Sequence, residues 1–181
     1  MKKAILATAI LATTVIAGTS AFAAEGDSTV PARTTVHWAG KITDVIPGDN
    51  IIITGEGGKT EIATGDLRLQ ADGTFDSTPI VLETRAYDET KSEIGDITPA
   101  KWTLESVSYV WGTNQVGSAD IQVFDLLGDP ATPLVKGAAS ATDLSSMKLV
   151  VKNTEKMDLA DLKDKTATAQ LDVTMTAQFK A

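Results

Sequence analysis

Few residues in this chain could do chemistry, and their spacing does not favour it. His37 is the single histidine among 181 residues. An activated serine needs a base beside it and a third group to orient that base. His37 instead lies next to Trp38 at the start of a strand-like stretch, with no Gly-x-Ser-x-Gly turn in the chain. Metal sites built on histidine or thiolate need more ligands than one imidazole supplies. There is no cysteine, so thiol catalysis, thiolate zinc sites and disulfides are excluded. The 24 Asp and Glu residues allow a carboxylate pair by number, but none stands in a recognisable setting. The stretch from Asp66 to Asp76 lacks the alternating acids of a calcium loop, and Gly55-Glu56-Gly57-Gly58 lacks the Lys-Ser/Thr of a phosphate loop. A carboxylate-based hydrolase is therefore motivated by abundance alone, and the reading is of a protein that is not an enzyme, with no cofactor and no metal. Trp38, Trp102 and Trp111 could form a sugar-stacking platform; the apolar residues flanking Trp102 and Trp111 favour a core role.

The bulk properties narrow the partners. A net charge of −8 argues against nucleic acid, which calls for a basic patch. Lys2 and Lys3, the apolar run Ala4 to Ala17 and the small-x-small triplet Ala21-Phe22-Ala23 have the form of a secretory signal, with cleavage expected after Ala23. The run is short for a membrane span, which takes roughly 20 residues. Without disulfides, the exported remainder must gain its stability from burial and hydrogen bonding, or from assembly.

The elements that must position these residues are strands. From Thr166 to the end, Leu171, Val173, Met175, Ala177 and Phe179 alternate with Asp172, Thr174, Thr176, Gln178 and Lys180. This is the period-two pattern of a strand with one buried and one wet face. At the other end, Gly26, Ser28, Val30, Ala32 and Thr34 share one parity, opposite Asp27, Thr29, Pro31, Arg33 and Thr35. That parity is compatible with a disordered leader or with a detachable strand that orders when it pairs. Between them, Val36-Trp38-Ile42 opens a strand with Gly40 as a bulge, and Pro47 to Asn50 is a turn. Ile51 to Thr54 is a short buried strand. Lys59 to Gln70 carries Ile62, Leu67 and Leu69, and Asp72-Gly73 forms a hairpin turn. Pro79 to Tyr87 is another strand, and Asp88 to Ala100 reads as a charged loop. Lys101 to Trp111 shifts its apolar parity near Ser106, which predicts a bulge. Strands follow around Ile121 and around Leu149, and Asp158 to Lys165 is the one helical-looking piece. Seven or more short strands with turn clusters between them indicate an all-β sandwich.

The order of these parts resembles a subunit of the chaperone–usher fimbriae of Gram-negative bacteria, of the cysteine-free type. The resemblance lies in the signal segment, the alternating extension Gly26 to Thr34, the opening strand Trp38-Ala39-Gly40-Lys41-Ile42-Thr43 and the closing apolar strand with Phe179 near its end. It implies residues 1–23 as signal peptide, 24–35 as a donor-strand extension and 36–181 as an immunoglobulin-like sandwich lacking its final strand. It implies polymerisation by donor-strand exchange into a pilus that supports cell adhesion. The donor strand would be Gly26, Ser28, Val30, Ala32 and Thr34, and the acceptor groove would be Leu171, Val173, Met175, Ala177 and Phe179. Partners would be identical or related subunits, a periplasmic chaperone and an outer-membrane usher, with room left for a host receptor. The chain would travel through the periplasm to the cell surface. The alternative is a self-contained secreted sandwich that binds carbohydrate or protein.

Overall fold

The computed structural model describes residues 32–38, 45–70, 72–111, 114–115, 120–156 and 169–179. Among these residues the chain is all β, in two sheets. The helical-looking stretch Asp158 to Lys165 and the Gly40 bulge lie outside the described residues.

The first sheet contains β1 (Ala32–Trp38), β2 (Val45–Ile46), β8 (Lys101–Trp111), β9 (Asn114–Gln115) and β12 (Ala169–Gln178), in the order β2-β1-β12-β8-β9. The second contains β3 (Ile51–Gly55), β4 (Leu67–Leu69), β5 (Phe75–Ser77), β6 (Ile80–Asp88), β7 (Glu93–Ile97), β10 (Ile121–Asp125) and β11 (Ser146–Asn153). Here β11 pairs β6 and β5 along one edge and β10 along the other, and β3 and β7 flank β6. All these pairings are antiparallel.

The alternation in the sequence builds the core. Leu171, Val173, Met175 and Ala177 of β12 are buried, as are Met147, Leu149 and Val151 of β11 and Ile80 and Leu82 of β6. Successive Cβ atoms of a strand point to opposite faces, so each strand contributes every second side chain to this layer. β8 keeps its apolar face inward only because it is bulged. Thr174 pairs with Ser106 but Met175 pairs with Leu104, leaving Glu105 as the extra residue. Trp102 and Leu104 before it, and Val107 and Tyr109 after it, all join the core. Thr176 Oγ1 donates to Glu105 Oε1 (2.9 Å) beside the bulge.

Two sequence expectations change. Asp88 to Ala100 is not simply a loop. Its middle forms β7, which pairs with β6. β7 is almost wholly exposed, so it carries no apolar alternation that would mark it, and its charged residues suit an edge. Lys59 to Gln70 is a strand only at Leu67–Leu69, although Ile62 is buried without being in one.

The segment from 133 to 141 closes one side of the sandwich. Leu134 N donates to Val123 O of β10 (2.7 Å), while Gly137 N and Ser140 N donate to Leu104 O (2.9 Å) and Trp102 O (2.7 Å) of β8. One segment thus ties the free edge of the second sheet to the first sheet.

Candidate functional site

The candidate site is the groove beside the carboxy-terminal strand. β12 lies between β8 and β1 and is paired along both edges. The gap expected beside the last strand is therefore filled, in the single chain, by the chain's own β1. The register runs from Ala32 opposite Ala177, through Thr34 opposite Met175, to Trp38 opposite Leu171. A single strand crosses the boundary drawn between residues 35 and 36. The extension residues Ala32 and Thr34 and the domain residue Trp38 share one parity and all point inward, buried.

Of the expected donor residues, Ala32 and Thr34 are placed in this groove; Gly26, Ser28 and Val30 lie outside the described residues. Of the expected acceptor residues, Leu171, Val173, Met175 and Ala177 are core side chains of β12, and Phe179, just past its end, packs partly buried against them. The structure therefore brings Ala32 and Thr34 into one layer with Met175 and Ala177.

The hold on β1 is uneven along its length. At its far end Trp38 is wholly buried, and its Nε1 donates to Thr78 O (3.0 Å). A further backbone bridge joins Trp38 to Gly65. At its near end the inward side chains are an alanine and a threonine, and Thr34 Oγ1 is buried with no hydrogen-bond partner. An unpaired buried hydroxyl costs about 1–3 kcal/mol. A buried alanine offers little apolar area against that cost. Trp38 pins one end of β1 by its side chain; the other end gains little from its side chains and is held by backbone pairing, with β12 on one side and, at Arg33 and Thr34, with β2 on the other.

His37 stands opposite Asp172 in the backbone register. Among the described residues no group of three or more His, Cys, Asp or Glu is placed to hold a metal. Trp38 and Trp102 are interior, their indole N–H groups donating to Thr78 O (3.0 Å) and Leu144 O (2.8 Å), so neither serves as an exposed sugar platform.

Two features escaped sequence reasoning. Glu83 is a buried carboxylate on β6. It accepts from Gly57 N (2.9 Å), Gly58 N (3.1 Å) and the Arg85 guanidinium (2.8 Å). Burial alone would raise its pKa, but these donors outweigh it and hold the carboxyl below the usual glutamate value. In the sequence only the Glu-x-Arg spacing, which puts both residues on one strand face, hinted at the pair. Asp125 closes β10 and is also buried. Its only sequence signal is an acid at the end of an apolar strand. No family model, curated protein or solved structure matches the chain.

Proposed function

We propose that this chain is a structural subunit of a fimbria, polymerising when the amino-terminal segment of one copy completes the first sheet of the next. The supporting observation is the uneven hold on β1. Ala32 and Thr34 occupy the groove beside β12 with small or unsatisfied side chains, while Trp38 anchors the strand further along the chain. A segment held this way can leave and be replaced by the same segment of a second copy, which makes the same contacts. Exchange of an identical element costs little in free energy, and a head-to-tail contact that does not close gives a filament. Main-chain pairing supplies the attachment and alternate side chains fill the core positions, as in strand addition generally. On this reading the sandwich is immunoglobulin-like and its own extension is a placeholder for the neighbour's. Chaperone and usher would be assembly partners, and export to the cell surface would precede polymerisation.

A second reading is favoured by the pairing of β12 along both edges within one chain. A sandwich closed by its own first strand can stand alone as a secreted binding module. Deletion of residues 24–35 separates the two readings. For a fimbrial subunit, the truncated chain still binds a chaperone but forms no polymers in electron micrographs. Polymers forming as they do from the full chain would overturn the fimbrial reading.

A further inference from the structure

A cavity of about 370 Å³ lies on the side of the sandwich away from β1, beneath the segment that ties β10 to β8. Its walls are apolar and come from both sheets and the covering segment: Trp102, Leu104, Leu134, Leu144, Met147 and Met175. Its size lies within the range of pockets that hold small molecules, roughly 300–1,000 Å³.

Two carboxylates stand on this wall, Asp125 and Asp129. Asp129 is exposed, and its oxygens accept from Ala131 N (3.0 Å) and Thr132 Oγ1 (2.7 Å). Asp125 is only 3% exposed. Its Oδ1 accepts from Leu127 N (3.1 Å) and Lys148 N (2.9 Å). Among the described residues its Oδ2 receives no hydrogen bond and no cation pairs with it. That oxygen lies against Gly128, also on the cavity wall, where a Cβ would come within 2.9 Å of it. The absence of a side chain at Gly128 leaves the oxygen uncovered. The fold thus supplies donors to one carboxylate oxygen and leaves the other as an open acceptor on the cavity wall. The lining also includes one largely exposed apolar side chain, Val135 (66%).

We propose that this cavity binds a small organic amine: an apolar body seated among the aromatic and aliphatic walls, with its ammonium N–H donating to Asp125 Oδ2. Charge complementarity selects the class. The buried polar group on the wall is a carboxyl with an open acceptor, a second carboxyl, Asp129, lies on the same wall, and the chain as a whole is acidic, with a net charge of −8. The inference rests on neither reading of β1: the cavity shares Met175 with the groove beside β12, but its buried carboxylate is on β10 and its cover is the segment that ties β10 to β8.

The test uses the full chain and phenethylammonium as probe, followed by amide chemical shifts in a titration. The expected result is saturable shifts at Gly128, Leu134 and Met147. n-Propylbenzene, similar in shape but without N–H donors, is expected to bind at least tenfold more weakly. Asp125→Asn keeps an oxygen for the Leu127 and Lys148 amides but removes the charge, and is expected to weaken the amine at least tenfold. Should that variant fail to fold, Ala138→Leu on the exposed wall narrows the cavity, and it is expected to abolish the shifts. No shifts at the cavity, equal affinity for n-propylbenzene, or unchanged amine affinity in a folded Asp125→Asn or Ala138→Leu variant would each overturn the proposal.

Discussion

Gly65 lies against the edge of the Trp38 indole, so close that a Cβ there would collide with Trp38 Cδ1 and Nε1 and press on Ile80 Cδ1. The contact pins the far end of β1. Trp38 is wholly buried and donates to Thr78 O, so the indole has nowhere to move without breaking that bond. Gly65→Ala is expected to destabilise the chain by about 1–3 kcal/mol, the usual range for overpacking a filled core. Urea denaturation measures it. An unchanged midpoint would mean that Trp38 is held more loosely than its burial indicates.

The other end of β1 predicts the opposite sign. Thr34 Oγ1 is buried opposite Met175 with no partner. Thr34→Val replaces the hydroxyl with a methyl of similar shape and removes an unsatisfied group. A gain of about 1 kcal/mol is expected in equilibrium unfolding. If β1 exchanges between copies, the same variant also slows exchange from a preformed monomer, because the resident strand is held more tightly. A loss of stability in Thr34→Val would show that the hydroxyl is satisfied in solution.

Glu83 gives a pH dependence. Burial disfavours its charge, yet the amides of Gly57 and Gly58 and the Arg85 guanidinium reverse the balance, and its folded pKa is depressed. A depressed carboxyl binds its proton less readily when folded than when unfolded, so the unfolded state takes up more protons in acid. The stabilisation is therefore complete above the ordinary glutamate value of 4.5 and is lost as pH falls below it. Glu83→Gln is expected to cost about 1–3 kcal/mol at neutral pH, as for a hydrogen-bonded charged group. It should also flatten the acid limb of a plot of stability against pH. An acid limb identical to that of the parent chain would assign the loss to other carboxylates.

The strands that bury one face were legible because burial writes a period of two into the sequence. β12, β11 and the core half of β6 could be read from Leu171, Leu149 and Leu82 and their alternate neighbours. β7 could not, because Glu93 to Ile97 is held by main-chain pairing and buries almost nothing. The partner of β12 was hidden for a related reason. Parity placed Ala32 and Thr34 on one face of a strand, but which chain that face packs against is a matter of topology. The same alternation serves a strand paired to its own chain or to a neighbour. Asp125 was invisible as a site residue because its setting depends on the Lys148 amide and on Trp102 across the cavity, neither of which is linked to it by spacing.

The bulge at Glu105 makes a prediction that depends on parity alone. Trp102 and Leu104 are separated from Val107 and Tyr109 by an odd number of residues, yet all four join the core, because Glu105 is unpaired between Thr174 and Met175. Deleting Glu105 would restore unbroken alternation: Leu104 inward, Ser106 outward, Val107 inward. It would sacrifice the Thr176 hydrogen bond and some local twist but no buried side chain. Deleting Thr103 instead places Trp102 directly beside Leu104, so that one of two buried side chains must turn to solvent. Losing a buried tryptophan or leucine from the core costs about 2–5 kcal/mol, a large part of a domain's net stability. The Glu105 deletion is therefore expected to fold with a modestly lowered melting temperature, and the Thr103 deletion to be unfolded or aggregated. Circular dichroism melts of the two deletions decide the matter. Equal damage from both would mean that the bulge geometry, rather than the facing of the side chains, is what the fold requires of β8.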